Sequence, residues 1–195
     1  VGETPAKTAD KNRDADDALA DSLGAREVRR NSADMVEHAF ENEIDDVKRL
    51  IEQGFYVDSV DARDNTPLSD AAAQGHSELV TYLLELGADP NSQSDLGRTP
   101  LWRAAFGGFS EMCTLLLKSG ADPSITNRDF ERPFDIASND ATRAVLEAWD
   151  EKETQRLLKK REKQMELALQ ERLKTAAQRE AHARDVLRKE VVGAA

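Results

Sequence analysis

The chain has 195 residues, of which 39% are hydrophobic and 33% are charged, a composition that allows one or two domains joined to solvated segments. Its net charge is −11 and is unevenly spread: residues 150–190 contain 12 Lys or Arg and 9 Asp or Glu and carry +3, so the remainder carries −14. The acidic part argues against nucleic-acid binding, the single cysteine excludes an intramolecular disulfide, and no apolar run approaches the about 20 residues of a membrane span.

The same composition indicates a kind of partner and a compartment. A strongly acidic surface is complementary to a basic protein surface, so a protein partner is expected rather than a nucleic acid or a membrane. One cysteine and no positively charged, apolar-cored signal sequence favour a reducing, cytoplasmic location.

Residues 1–31 are predicted to be an acidic, flexible segment. They are rich in Ala and Asp, contain no aromatic residue and lack a sustained apolar stripe, so they cannot bury enough surface to fold alone. A short helix through Leu19, Leu23 and Val28 is compatible with the pattern. Because the first residue is Val1 rather than Met, we expect a fragment of a longer protein or a processed chain.

The central part repeats itself at an offset of 33 residues. The matching stretches are Thr66-Pro67-Leu68 with Thr99-Pro100-Leu101, Ala71-Ala72 with Ala104-Ala105, Gly75 with Gly108, Leu83-Leu84 with Leu116-Leu117, and Gly87-Ala88-Asp89-Pro90 with Gly120-Ala121-Asp122-Pro123. A period of this length with a Thr-Pro-Leu core is the ankyrin signature, which predicts an all-α solenoid of stacked helix pairs.

Each repeat contains the signals that begin and end its two helices. Thr66 and Thr99 are predicted N-caps, and the proline after each takes the first helical position, where its missing N–H costs nothing. Gly75 and Gly108 are predicted to end the first helices in the left-handed conformation. Asp64 replaces the usual turn glycine, a mild cost because Asp tolerates that conformation.

The repeat extends in weaker form on both sides, giving about four units over residues 32–149, of which two are caps. In the first unit Ala33-Asp34 stands in place of Thr-Pro, and Ser32 is the predicted cap. In the last unit Pro133 and Ala137 align with the first helix, and the second helix is predicted to be shorter.

In ankyrin-like folds, partners usually bind the concave surface formed by the turn tips and the first helices. Transferred to this sequence, the predicted partner-binding residues are Arg63, Asn65, Asp70, Asp95, Leu96, Arg98, Trp102, Arg103, Phe106 and Arg128. Phe106 is the favoured anchor, because the fold does not need an apolar residue there and exposed aromatics beside Arg are frequent hot spots. Trp102 has two interpretations, packing between repeats or contacting the partner. Arg63, Arg103 and Phe106 are expected to contact the partner without supporting the fold.

Residues 150–191 are predicted to form one long charged helix, since Pro and Gly are absent and helix-forming residues dominate. A broken heptad permits either a coiled coil or docking along a larger partner. Leu169, Gln170, Lys174 and Arg179 fit a loose IQ motif, the helix type that binds calmodulin-like proteins, and a plain solvated face is the alternative.

No catalytic constellation is found, so the chain is not expected to be an enzyme or to hold a cofactor or metal. His38, His76 and His182 show no metal-ligand spacing, and a glycine-rich phosphate loop is absent. Cys113 lies on an apolar stripe, where an inert buried thiol is expected.

A narrower resemblance adds to this reading. The run Gly97-Arg98-Thr99-Pro100-Leu101, the segment Arg103-Ala104-Ala105-Phe106-Gly107-Gly108 and the passage from Val145-Leu146 through Trp149-Asp150 into the charged helix resemble the IQ motif and ankyrin repeat domain-containing proteins. That resemblance implies a calmodulin-binding helix before the repeats and a P-loop region after the helix. The repeats, the charged helix and the resemblance together leave three candidate functions. The first is an interaction scaffold in an assembly such as a cytoskeletal or ciliary one. The alternatives are a regulatory fragment of a P-loop ATPase and a calmodulin-binding adaptor.

Overall fold

The computed structural model describes residues 25–164, 166–167, 170 and 174, with side-chain environments from residue 31 onward. All regular secondary structure in these residues is helical. The helices are α1 (Ala25–Phe40), α2 (Ile44–Glu52), α3 (Pro67–Gln74), α4 (Ser77–Glu85), α5 (Pro100–Gly107), α6 (Ser110–Lys118), α7 (Asp140–Glu147) and α8 (151–164). Among these helices, none combines the length and the apolarity that crossing a bilayer requires.

The helices pack as a stack of antiparallel pairs. Within each unit α1 contacts α2, α3 contacts α4 and α5 contacts α6, while the first helices stack in the order α1, α3, α5 and α7 packs on α6. Each unit therefore buries its apolar face mainly against its neighbours, as a solenoid requires. The predicted all-α ankyrin fold is confirmed.

The predicted helix signals in the two regular units are confirmed. The Ser69 amide donates to the Thr66 hydroxyl at 3.2 Å, and the Trp102 amide donates to the Thr99 hydroxyl at 3.1 Å. Gly75 and Gly108 take φ values of 79° and 78° at the ends of α3 and α5, which places both in the left-handed region. The sequence repeat is thus a repeat of capping chemistry as well as of apolar positions.

The core runs without interruption through the stack. Leu68, Leu83, Leu101 and Leu116 are fully buried, as are the paired alanines of α3 and α5 that let the first helices approach closely. Cys113 is also fully buried, and this burial raises the pKa of its thiol to about 12. The thiol therefore stays protonated and unreactive in the folded chain, as the apolar stripe predicted.

The two terminal units differ from prediction. α1 begins at Ala25, so Ser32 lies inside the helix, where its hydroxyl is buried and accepts no capping amide; the predicted cap is wrong. In the last unit residues 133–136 form a turn instead of the predicted first helix, held by the Asp135 amide donating to Arg132 O at 3.0 Å. The units differ because an end unit packs against one neighbour only, which removes the need for a complete helix pair.

The first compact unit of the chain extends to Thr154, and residues from Gln155 onward form a second unit. Thr154 is buried, and the Trp149 indole N–H donates to its hydroxyl at 2.8 Å. The start of α8 is therefore fixed by a contact inside the first unit.

Candidate protein-interaction surface

Three turns project from the repeats with the same backbone geometry. We call them finger 1 (61–65), finger 2 (94–98) and finger 3 (127–131). In each finger the backbone amide of the first residue donates a hydrogen bond to the backbone carbonyl of the last residue, at 3.0–3.1 Å. The pairs are Asp61 with Asn65, Ser94 with Arg98, and Asn127 with Glu131. A side-chain oxygen of the first residue then accepts further amides within the finger. Asp, Ser and Asn are interchangeable here because each presents such an oxygen.

The fingers are also joined to one another. The Asp95 amide donates to Arg63 O at 2.9 Å, and 33 residues later the Arg128 amide donates to Leu96 O at 3.0 Å. These bonds occupy backbone groups at the tips, so the side chains are presented from a fixed edge. A preordered surface of this kind binds a partner with little additional loss of conformational entropy.

One position in each finger takes a positive φ: 57° at Asp64, 73° at Gly97 and 62° at Phe130. Asp and Gly are common in this conformation, whereas a bulky aromatic side chain there is an outlier. Phe130 is also 85% exposed, so no burial within the described residues compensates for the strained backbone. Strain at an exposed side chain is a feature of binding and active sites, which makes Phe130 a candidate contact residue.

A stack of three side chains runs from finger 2 along α5. The Arg98 guanidinium lies 4.7 Å from the centre of the Trp102 ring, and the Trp102 ring lies parallel to that of Phe106, with centroids 5.5 Å apart. Trp102 is buried, as its packing interpretation requires, while Phe106 is 63% exposed. We call this the aromatic stack; it holds an exposed aromatic ring on a rigid base.

Arg103 joins two repeats. Its guanidinium forms an ion pair with Asp70 and donates to Asn65 Oδ1 at 2.8 Å and to Ser69 Oγ at 3.1 Å. Asp70 and Ser69 are both buried. Arg103 is therefore engaged inside the fold, contrary to the expectation that it would contact a partner without supporting the fold.

The environment of Asp70 has a measurable electrostatic consequence. Burial raises the pKa of this carboxyl above its ordinary value of 3.8, and the attraction of Arg103 offsets only part of that rise. The ionised carboxylate is consequently disfavoured in the folded chain even beside Arg103, and it would be more strongly disfavoured without it.

The predicted surface residues fall into three environments. Arg63, Leu96, Phe106 and Arg128 are exposed; Asn65, Asp95, Arg98 and Arg103 are half-buried; Asp70 and Trp102 are buried. The structure brings Asn65, Asp70 and Arg103 together, and likewise Arg98, Trp102 and Phe106. Of the IQ-like residues, Gln170 and Lys174 are helical and exposed, whereas Leu169 and Arg179 lie outside the described residues.

Two features were not predicted from the sequence. Phe130 aligns with Asp64 and Gly97 at the 33-residue offset, so an aromatic at a left-handed position was visible in the alignment of the repeats. His38, Glu43 and Asp46 approach one another across the junction of α1 and α2. Their spacing matches no metal-binding motif, because the loop between two helices brings them together.

The comparison with protein families agrees with this geometry. Residues 35–127 match the family model described as ankyrin repeats (3 copies). The match ends within finger 3 and leaves out the last unit, where the first helix is reduced to a turn. None of the curated proteins matches the chain. Ankyrin repeats are in general protein–protein interaction modules, and this coarse function applies to the matched segment.

Proposed function

We propose that the chain is a protein–protein interaction scaffold, in which the aromatic stack and the three fingers bind a partner. The observation that carries the proposal is the aromatic stack, because it exposes most of the Phe106 ring while holding it in place through Trp102 and Arg98. Interface hot spots are typically aromatic or Arg side chains on a rigid, well-packed base. Arg63, Leu96, Arg128 and Phe130 supply exposed side chains from the finger tips.

The charged C-terminal segment extends the proposal to assembly. Residues 150–190 carry +3 and the rest carries −14, so the two parts favour partner surfaces of opposite sign. In this proposal the segment 150–191, predicted from its sequence to be one long helix, docks on a larger assembly, such as a cytoskeletal or ciliary one, while the repeats hold a second protein.

Replacing Phe106 with Ala is expected to reduce the affinity for the partner by at least about tenfold. Truncating an aromatic anchor at the centre of an interface commonly costs about 2 kcal/mol or more of binding free energy. The lost stacking on Trp102 lowers the stability of the fold by only about 1 kcal/mol. Crosslinking in the native cell followed by mass spectrometry would identify the partner, and titration of that partner with each variant would measure the affinity.

Phe40 supplies a matched control for this experiment. It is also an exposed phenylalanine, at 41%, but it lies at the C-terminal end of α1, away from the fingers. Phe40→Ala should leave the affinity unchanged. Equal losses with both variants, or no loss with Phe106→Ala, would contradict the assignment of the aromatic stack as the anchor.

Replacing Phe130 with Gly separates binding from folding, because partner affinity is expected to fall while the stability of the fold is expected to hold or rise. Gly accepts a φ of 62° without the strain of about 1 kcal/mol that an L side chain carries there, so the melting temperature should hold or rise. Partner affinity should fall because the exposed ring is lost. A variant that keeps full affinity would remove finger 3 from the binding surface.

A further inference from the structure

The junction between α1 and α2 concentrates ligand-type side chains away from the fingers. His38 lies in the last turn of α1, Glu43 immediately precedes α2, and Asp46 lies in the first turn of α2. The backbone is fixed here by the Glu43 amide donating to His38 O at 2.8 Å and by a left-handed Asn42 with φ 62°. The three side chains therefore project from a defined frame.

The side chains face one another. His38 Nδ1 lies 2.5 Å from a carboxylate oxygen of Glu43, and one ligand atom from each of His38, Glu43 and Asp46 lies within 4.8 Å of the other two. Glu43 holds the N-cap position of α2, yet its side chain caps no amide and turns to His38 instead. The fold thus brings an imidazole and two carboxylates into one cluster.

The surroundings favour a cation. An open groove beside Glu43 and Asp46 is lined by Asn42, Asp45, Lys48 and Glu78, so carboxylates outnumber cationic groups. The Lys48 ammonium is drawn aside, 5.3 Å from the centre of the Tyr82 ring. The C-terminal end of α1 attracts positive charge while the N-terminal end of α2 repels it, so the two helix dipoles largely offset each other.

The ion pair between Arg49 and Asp46 would have to break for Asp46 to bind a cation. Arg49 lies 2.7 Å from Asp46, but the two side chains are 60% and 36% exposed, and an exposed pair of this kind contributes little. A divalent cation interacts with both carboxylates at once, and it therefore displaces a single guanidinium from Asp46.

We infer that His38, Glu43 and Asp46 form a binding site for a first-row divalent cation, with Zn²⁺ the best match. Zn²⁺ takes imidazole and carboxylate ligands at about 2.0–2.2 Å in a tetrahedron, which places ligand atoms about 3.3 Å apart. The His38–Glu43 contact must open slightly and Asp46 must approach, which these partly exposed side chains allow. The imidazole selects Zn²⁺ over Mg²⁺ or Ca²⁺, and water completes the coordination.

Binding would tie α1 to α2 in the first unit of the stack, which is packed on one side only. Since a ligand that binds only the folded state stabilises it, Zn²⁺ should raise the melting temperature of the full chain. This inference is independent of the proposed partner surface, because it uses no residue of the fingers or the aromatic stack.

The test is a titration of the metal-free full chain with ZnCl₂. Calorimetry measures the affinity and the stoichiometry, and thermal unfolding measures the change in melting temperature. Co²⁺ replaces Zn²⁺ as a spectroscopic probe of the ligands. We expect one Zn²⁺ to bind per chain and to raise the melting temperature. Mg²⁺ should raise the melting temperature less than Zn²⁺ does. His38→Ala and Glu43→Gln should each weaken binding at least about tenfold, since even indirect support of a ligand contributes that much. The visible absorption of bound Co²⁺ should change in both variants, independently of any change in stability.

Two further variants serve as controls. Asp45→Asn changes the same charge as Glu43→Gln in the same groove but leaves the three ligands intact, so Zn²⁺ affinity should hold. His182→Ala, which removes a histidine elsewhere in the chain, should have no effect. Zn²⁺ binding that survives His38→Ala and Glu43→Gln, an equal loss with Asp45→Asn, or no response to Zn²⁺ would each overturn the site.

Discussion

The Arg103→Ala variant is expected to unfold with a free energy about 2 to 3 kcal/mol lower than that of the wild-type chain at neutral pH. The substitution leaves the Asp70 carboxylate buried without its cation, and it removes the two hydrogen bonds to Asn65 and Ser69. Losing one partner of a mostly buried ion pair is much more costly than losing an exposed pair, because the remaining charge stays desolvated. Urea unfolding followed by circular dichroism measures the difference.

The loss should depend on pH in a defined direction. The folded-state pKa of Asp70 is raised, and removing Arg103 takes away the attraction that limits the rise, so the pKa moves higher still. Because the carboxyl pKa is higher in the folded than in the unfolded chain, the ionised carboxylate destabilises the fold at pH values above the folded pKa. This destabilisation disappears as the pH falls toward the unfolded pKa of 3.8. The deficit of Arg103→Ala relative to wild type should therefore shrink between neutral pH and about pH 4.

Two controls separate this explanation from a general loss of charge. Arg63→Ala removes the same charge from an exposed position of finger 1, and its effect should stay within about 0.5 kcal/mol. Asp70→Asn in the Arg103→Ala background should restore part of the stability, because the buried charge is then absent. A pH-independent deficit, or no rescue by Asp70→Asn, would contradict the role assigned to the pair.

The regular units were predictable because their signals are local. Thr66, Thr99, Gly75 and Gly108 act within one helical turn of their own position, so the capping chemistry could be identified from neighbouring residues alone. The core positions followed from the same period.

The surface was less predictable because exposure is a property of the stack. Arg103 and Phe106 lie on the same helix and were both assigned to partner binding, yet one is engaged with the preceding repeat and the other is 63% exposed. What separates them is the residue opposite in the neighbouring unit, Asp70 for Arg103, and a single repeat does not contain that information. The His38 cluster shows the same limit, since a turn between helices sets its geometry.

The last unit depends on Asn139, whose side chain both caps the following helix and bonds to the backbone of the preceding unit. Asn139 Oδ1 accepts the Thr142 amide at 2.8 Å and so caps α7, while its Nδ2 donates to Gly108 O at 2.8 Å. One side chain thus begins the final helix and fastens it to the end of α5. A Cβ added at Gly108 would lie 2.5 Å from both Asn139 Nδ2 and Ser138 Oγ, so these side chains would have to move.

We therefore expect Gly108→Ala to lower the free energy of unfolding by about 2 to 3 kcal/mol. Left-handed strain at φ 78° accounts for about 1 to 2 kcal/mol, and displacement of the Asn139 cap accounts for about 1 kcal/mol more. Chemical denaturation of the full chain provides the measurement. Gly87→Ala is the matched control, since Gly87 also has a positive φ, 95°, but an added Cβ would meet no atom within 4 Å. That variant should show the backbone strain alone.

Combining the substitutions tests the role of Asn139 directly. If Gly108→Ala acts by displacing this side chain, Asn139→Ala should cost about 1 kcal/mol in the wild-type chain and little in the Gly108→Ala chain. Full additivity would show that Asn139 still caps α7 when Gly108 is replaced. The stability lost in Gly108→Ala would then come from backbone strain at the end of α5. Non-additivity would show that the Gly108–Asn139 contact is one of the bonds that hold the last unit on the stack, beside the Ser138 amide that donates to Ala105 O at 3.2 Å.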